Sequence, residues 1–323
     1  TKEGARDLFL GLIKSCDIWM ESSKPGSYDK WGLTDDAVLE ANPKIVVSHV
    51  SGYGQSGDEG YLGRASYDLI GQAFGGLLNL TGFPDPEPPT RASPWTGDYL
   101  TALFCLWSSL AGYIYASRTG KGQVIDVAQF EAIHRAISGS MVEYFNAGVV
   151  RERSGNKAPA FQPYDVFNAK DGWVVIGAIG PSIFERACQV IGLDYAEWAD
   201  VHTDINSDQG LAFDALLRAW VIDRTVKEVV EAFNANNVPC CPVMTARDMG
   251  EDPHYQARGV HVEWDDVQVG RVKGTGVAPK FSETPGKIWR GSVPAGYDNQ
   301  RVYGDLLGLT SEKIDELRGL QVI

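Results

Sequence analysis

Between residues 4 and 78 the chain alternates helix, strand, loop, helix, strand, loop, helix, and few folds accept that order. Residues 4–15 (GARDLFLGLIKS) carry Leu8, Leu10, Leu12 and Ile13 and predict a helix packed on a sheet. Cys16 to Glu21 is a short, mostly apolar run that predicts a buried strand. Thr34 can cap a helix that runs to about Ala41, and Asn42-Pro43 stops it. Lys44 to Val50 is the clearest strand in the chain, and Ser66 to Leu78 predicts another helix. This alternation is that of a doubly wound parallel sheet, an α/β fold of Rossmann-like type. Such sheets bind ligands outside the carboxyl ends of their strands, where the loops Ser22–Gly26 and Ser51–Gly57 fall. The second loop is glycine-rich but is neither a GxGxxG fingerprint nor a Walker A motif. By residue type alone a surface turn accounts for it as well as a ligand loop does, and Lys24 alone is more often a solvated lysine.

The stretch Ser93-Pro94-Trp95-Thr96-Gly97-Asp98-Tyr99-Leu100 ends a long loop and opens an apolar helix. Leu100, Leu103, Phe104, Trp107, Leu110, Ala111 and Ile114 recur at three- and four-residue spacing, which predicts that these side chains form the buried face. Asp98 then sits at or near a helix N-terminus, beside free N–H groups and the positive end of the dipole. Position alone favours a capping aspartate. The alternative is a carboxylate kept ionised as a nucleophile. Trp95 beside it either shapes a pocket or packs, and packing is the commoner role for a lone tryptophan in apolar surroundings.

Thr119–Gly122 is a tight turn, residues 123–127 a strand and residues 128–145 a helix. Residues 148–163 are polar with glycine and proline and predict a linker. Composition then shifts. Val166-Phe167 and Trp173–Gly177, joined by Asn168–Gly172, carry a hairpin signal, followed by a helix over 182–191 and a strand near 238–243. The expected organisation is a large domain over 1–147, a linker over 148–163 and a small α+β domain over 164–253. A second linker follows over 254–280, and a segment over 281–323 returns to the large domain, so the small domain is an insertion. The tail is helical, with Thr310 as its cap.

At 323 residues the chain is long enough for two domains. Its net charge of −13 argues against nucleic acid as a partner. By the sequence alone no window reaches the eighteen apolar residues or so of a membrane span. The five cysteines, Cys16, Cys105, Cys188, Cys240 and Cys241, form no CxxC pair, which predicts a reducing, cytoplasmic setting. The histidines are scattered, so no metal site is expected. The chain begins at Thr1 and leads straight into a helix, which predicts a fragment whose opening is missing.

Several strings, taken together and in order, resemble the class III coenzyme A transferases, the family of carnitine CoA-transferase and formyl-CoA transferase. They are Asn42-Pro43-Lys44-Ile45-Val46, Ser51-Gly52-Tyr53-Gly54-Gln55, Tyr67–Ala73, Gly97-Asp98-Tyr99, Thr119–Gln123, Pro279-Lys280-Phe281, Pro285-Gly286 with Ile288–Gly291, and Leu307-Gly308-Leu309. The region 279–291 and Tyr144-Phe145-Asn146 look closest to the carnitine branch. The resemblance implies that Asp98 is the nucleophile, that Lys24, Ser22 and Ser23 contact coenzyme A, and that Tyr67 lies near the pantetheine arm. It also implies that Gly177 to Gly180 form a glycine loop closing over the thioester. A second basic contact of the carnitine branch falls on Trp31, with Lys30 as its substitute. The family's opening βαβ unit is absent from this chain. The implied assembly is an interlocked homodimer, or a heteromer with a related subunit. The implied substrates are an acyl-CoA and a small carboxylic acid, with coenzyme A the only cofactor and no metal.

Two competing readings remain. An α-methylacyl-CoA racemase would need a base where this chain has Tyr67, before Asp68, and a phenol with an unperturbed pKa near ~10 is a poor one. A non-catalytic CoA-binding partner subunit would not need Asp98.

Overall fold

The computed structural model describes residue 2 and residues 4–323; Thr1 and Glu3, at the start of the expected large domain, lie outside them. The chain forms two compact units, Thr1–Gly155 with Ala295–Ile323, and Asn156–Pro294.

The first unit opens with α1 (Ala5–Ile13), β1 (Ile18–Glu21), α2 (Asp35–Ala41) and β2 (Val46–Ser51). As expected, the Thr34 hydroxyl caps α2 by accepting from the Ala37 N–H. The helix expected over 66–78 is split into α3 (Asp68–Phe74) and α4 (Leu77–Leu80), because Gly75-Gly76 closes the first and Gly76 takes a left-handed backbone with φ of 87°. Then come α5 (Thr96–Thr119), β3 (Gln123–Ala128), α6 (Gln129–Ala136) and α7 (Ser138–Ala147). Strands β1, β2 and β3 pair in parallel in that order, with Ile18 opposite Val46 and Val46 opposite Gln123. Ile13, Val38, Ile45 and Val47 form a fully buried cluster between α1, α2 and the sheet. Each such aliphatic side chain contributes about 1.5–3 kcal/mol on burial.

Helix α5 corrects the sequence expectation about its own faces. Its buried residues are Gly97, Thr101, Cys105, Ser109, Gly112 and Ala116, a stripe of small side chains. Small residues let the helix lie close on β2 and β3, where the Ser109 and Ser48 hydroxyls meet at 2.7 Å. The large apolar residues expected inside, Leu103, Trp107, Leu110 and Ile114, are exposed on this chain. Periodicity located the helix, but the face that meets the sheet is the small-residue one, not the large apolar one. By length and composition α5 is also apolar enough to cross a membrane, against the expectation that no window is. In this fold its small-residue stripe is packed against the sheet instead.

The second unit holds β4 (Tyr164–Ala169), β5 (Gly172–Gly177), α8 (Pro181–Ile191), α9 (Tyr195–Trp198), α10 (Asp208–Ile222), α11 (Val226–Ala235) and β6 (Cys240–Pro242). The three strands form an antiparallel sheet in sequence order. Its core packs Phe167, Ile176, Phe184, Phe213, Leu217 and Phe233, all fully buried. After α12 (Ala246–Glu251) and α13 (Pro253–Ala257), the stretch expected as a linker over 254–280 contains a hairpin of β7 (His261–Asp266) and β8 (Gly270–Thr275). The alternation of β-branched residues with glycine there belongs to paired strands. The chain ends in the first unit with α14 (Ser311–Gly319), capped by Thr310 as expected.

At the start of β3 the backbone runs very close to its neighbour. The Gly122 N–H donates to the Pro43 carbonyl at 2.7 Å. A Cβ on Gly122 would stand 2.0 Å from the Ile45 carbonyl oxygen, a backbone atom that cannot step aside. Gly122→Ala is therefore expected to cost at least about 1–3 kcal/mol, measured as a lower urea midpoint with unchanged slope.

Candidate active site

The N-terminus of α5 is capped from outside. Trp95, in the capping position, makes no side-chain capping bond. Asp68, the first residue of α3 and only 3% exposed, supplies the carboxylate instead. Its Oδ1 accepts from the Gly97 N–H at 2.8 Å and the Asp98 N–H at 3.1 Å. Its Oδ2 accepts from the Gln72 amide at 2.8 Å. Gln72 is fully buried and clamps the long loop by bonding both the N–H and the carbonyl of Ala92. Gly97 lets the chain pass close to this cap: a Cβ would stand 2.9 Å from the tip of Ile133 and 3.1 Å from Asp68 Oδ1, so both would have to shift.

Asp98 is thereby relieved of capping. It lies in the first turn of α5 with its carboxylate turned elsewhere. Its Oδ1 accepts from the Gln129 side-chain N–H at 2.7 Å, and Gln129 in turn accepts from the Ser66 hydroxyl at 2.7 Å. The Asp98 carboxyl is pushed above its usual range, first by desolvation and then by the Asp68 charge, while the Gln129 bond pulls the other way. As a residue Asp98 is nevertheless exposed on this chain, so the desolvation falls on one edge of the carboxylate while the other meets open space.

That space is a cavity of about 860 Å³. It runs across the carboxyl ends of β1 and β2, as the doubly wound pattern predicts. Ser22, Ser23, Lys24, Tyr67 and Asp98 all line it, so five of the residues singled out from sequence come together. The Gly52-Tyr53-Gly54 stretch lines it too. Arg64 adds a second cation to Lys24, while Met20, Val50, Ala102, Cys105 and Leu106 make part of the wall apolar. Coulombic attraction at Lys24 and Arg64 suits an anionic ligand, and the size suits a small-molecule site.

Lys30 and Trp31 are not in this wall. They sit in a tight turn after the Ser22–Gly26 loop, with the Lys30 ammonium 5.0 Å from the Trp31 ring centre and Tyr28 edge-on to that ring. Trp95 is exposed, and the Arg91 guanidinium stands 5.6 Å from its ring centre, so it does not pack into a core. Gly177 and Gly180 belong to the second unit, at the end of β5 and the start of α8. The Gly180 N–H donates to His202 Nε2 at 3.1 Å, and the other ring nitrogen meets the Gln162 carbonyl at 2.7 Å. That pair of partners places the His202 proton on Nδ1.

Sequence reasoning missed Asp68 as the cap, Gln129 as the partner of Asp98, and Gln72 as the clamp. Asp68 lies inside a string singled out from sequence, and Gln129 follows directly after a strand. Nothing in their spacing shows that three segments far apart in the chain converge on Asp98.

Comparison with known proteins decides the family. Residues 1–299 match the family described as CoA-transferase family III. The chain belongs to that family. It is similar to the bile acid CoA-transferase BaiK of Clostridium scindens, with 40% identity over 98% of this chain and 73% of that protein. It is also similar to the L-carnitine CoA-transferase of a Proteus species, with 32% identity over 98% of this chain and 79% of that protein. Among solved structures, a CAIB/BAIF family protein from Brucella suis superposes with a TM-score of 0.80 at 26% identity, covering 95% of this chain and 79% of that one. Rv3272 from Mycobacterium tuberculosis shares the fold, with a TM-score of 0.75 at 22% identity over 88% of this chain and 76% of that one. As a member of CoA-transferase family III the chain is an enzyme, and the activity of the class is transfer of coenzyme A between a CoA thioester and a carboxylate.

A raised carboxyl pKa means that ionising Asp98 costs folding free energy. The associated stability is present below its unfolded value and is lost as pH rises through the folded one. Asp98→Asn, which keeps the bond from Gln129, is expected to melt higher than the parent at pH 7–8. The gap should close as the pH falls toward 4, as read by differential scanning calorimetry across that range.

Proposed function

We propose that this chain exchanges coenzyme A between an acyl-CoA and a free carboxylic acid, with Asp98 as the covalent nucleophile. The observation that carries the reading is an aspartate freed from capping by Asp68, facing a cavity that also holds Lys24 and Arg64. Lys24 and the Ser22–Ser23 loop hold the phosphates, and the pantetheine arm crosses the strand ends past Tyr67 to bring its thioester to Asp98. Lys30 and Trp31, at the edge of the same loop, border the nucleotide from outside the cavity.

The reaction balances as four acyl transfers. The Asp98 carboxylate attacks the thioester carbonyl and expels CoA thiolate, leaving a mixed anhydride. The thiolate attacks the aspartyl carbonyl, which releases the donor acid as a carboxylate and leaves an aspartyl-CoA thioester. The acceptor carboxylate attacks that thioester to form a second anhydride and thiolate. The thiolate then takes the acceptor's acyl group and restores Asp98. No proton is consumed, and water must be kept out because hydrolysis would discard the thioester. Each tetrahedral oxyanion needs N–H donors, worth about 3–4 kcal/mol where one has been removed from other enzymes. The Gly177–Gly180 loop does not offer them as it stands, because its Gly177, Ala178 and Gly180 N–H groups already donate to Pro239, Pro163 and His202. Gln129 orients the carboxylate so that its free oxygen faces the substrate.

The names of the relatives guide the choice of acid: bile acids and carnitine-like acids are the first acceptors to test. Unpaired thiols at all five cysteines support a reducing, cytoplasmic setting. The expected architecture, a Rossmann-like large domain with the small one inserted, accords with the first unit being built from two separate stretches of chain. The outward face of α5, with Tyr99, Leu103, Trp107, Leu110 and Ile114 all exposed, supports burial against a second copy in an interlocked homodimer.

Asp98→Ala is expected to abolish transfer across a panel of acyl-CoA donors and acids read by mass spectrometry, while CoA binding persists. Hydroxylamine added during turnover should trap the parent as a hydroxamate on the Asp98 peptide, and transfer by the alanine variant near the parent's rate would refute the assignment. In light scattering the parent should run as a dimer and the Leu103→Asp/Leu110→Asp variant as a monomer.

A further inference from the structure

His49, on β2, lies across the two ends of one loop. That loop runs over residues 22–34 and carries Ser22, Ser23, Lys24, Lys30 and Trp31. It begins immediately after Glu21, the last residue of β1, and ends immediately before Asp35, the first residue of α2. His49 Nδ1 meets Glu21 Oε1 at 2.5 Å, and His49 Nε2 meets Asp35 Oδ1 at 2.8 Å. One imidazole therefore closes the loop at both ends, one ring nitrogen to each. The inner end is buried, with the Glu21 side chain 4% exposed, while the Asp35 side chain is 44% exposed. The edge of the Trp19 ring covers the imidazole, 6.1 Å between centres.

We propose that His49 is a positioning residue for coenzyme A binding, a clasp that holds the 22–34 loop in the shape that receives the nucleotide. The inference rests on the function proposed above and deepens it. The loop has no regular structure except the turn Asp29–Trp31, so its shape depends on how its ends are fixed. Glu21 itself lines the cavity, so a shift at the clasp is felt at the wall that carries Lys24.

The clasp has a charge requirement. Two carboxylates can both accept from one imidazole only if both ring nitrogens carry protons, so the closed form is imidazolium. Burial pulls the His49 pKa down, but the bonds and charges of Glu21 and Asp35, the titratable groups that face it from β1 and α2, outweigh burial and raise it above 6.5. The stabilisation is therefore complete below the unfolded value and is lost as pH rises through the folded one. Loss of that proton leaves one carboxylate facing a bare lone pair, and that end of the loop is released. Coenzyme A should therefore bind more weakly at alkaline pH than the ligand's own ionisation explains.

Asp35→Asn provides a conservative rescue. A neutral imidazole can donate from Nδ1 to Glu21 and accept at Nε2 from the side-chain amide that this substitution introduces, so both ends stay held with no pH requirement. The test is calorimetric binding of CoA, adenosine 3′,5′-bisphosphate and pantetheine to the parent, His49→Gln and Asp35→Asn at pH 6.5 and 9. The turnover number is measured with saturating acyl-CoA. The expected result for His49→Gln is about tenfold weaker binding of CoA and of the bisphosphate, with pantetheine affinity and turnover within about twofold of the parent. From pH 6.5 to 9 the parent's CoA affinity should fall relative to that of Asp35→Asn. Equal CoA affinity in parent and His49→Gln would overturn the clasp, as would equal weakening of all three ligands. If His49→Gln does not fold, a parent-to-Asp35→Asn affinity ratio that stays flat with pH overturns it. CoA binding by the parent without acyl transfer would instead refute the role given to Asp98 and leave the clasp standing.

Discussion

One buried carboxylate at the start of α3 organises the site. A helix N-terminus carries unsatisfied N–H groups, and the residue in the capping position of α5 is a tryptophan that cannot serve them. Asp68 reaches across from another helix and takes two of them. That single contact ties α3 to α5, closes the long loop through Gln72, and leaves the Asp98 carboxylate free of capping, bonded to Gln129 instead. The cost is two carboxylates close together at one helix end, and the raised pKa of Asp98 registers it. In the reaction proposed above, that arrangement favours attack, because a carboxylate that is imperfectly stabilised in the ground state gains more when it bonds to an acyl carbon.

The fit of α5 on the sheet follows from the same geometry. Glycine, alanine, serine, threonine and cysteine along one stripe let the helix approach β2 and β3 closely, and the Asp98 carboxylate is carried with it to the strand tips. The bulky residues are displaced to the opposite face, where Leu103, Trp107, Leu110 and Ile114 are exposed. The helix thus turns a small-residue side to its own sheet and leaves its large apolar side exposed.

The two sets of charges around the cavity differ in kind. At the Asp98 end like charges are brought together and the Asp98 carboxyl is made harder to ionise. At the loop end the opposite holds: His49 is embraced by Glu21 and Asp35, and a positive charge is stabilised by two acids. The first arrangement stores unfavourable free energy at the Asp98 carboxylate, and the second uses favourable free energy to hold the ends of a loop whose only regular turn is Asp29–Trp31.

Much of this is legible without any coordinates. The order of helices and strands over residues 4–78 decides the parallel sheet, because buried parallel strands and their crossover helices leave distinct local patterns. Thr34 and Thr310 announce their helices, and Ser22, Ser23, Lys24, Tyr67 and Asp98 stand out from sequence, since strand-end loops and family strings are local in the chain. Only the tertiary structure decided which face of α5 is inside, that residues 261–275 form a hairpin, and that Asp68, not Asp98, satisfies the helix end. It also decided that Gln129 bonds Asp98 and that His49 bonds both Glu21 and Asp35, at the two ends of the 22–34 loop. Those outcomes depend on contacts between residues well separated in the chain, or on a choice between two apolar faces of one helix, and periodicity carries neither kind of information.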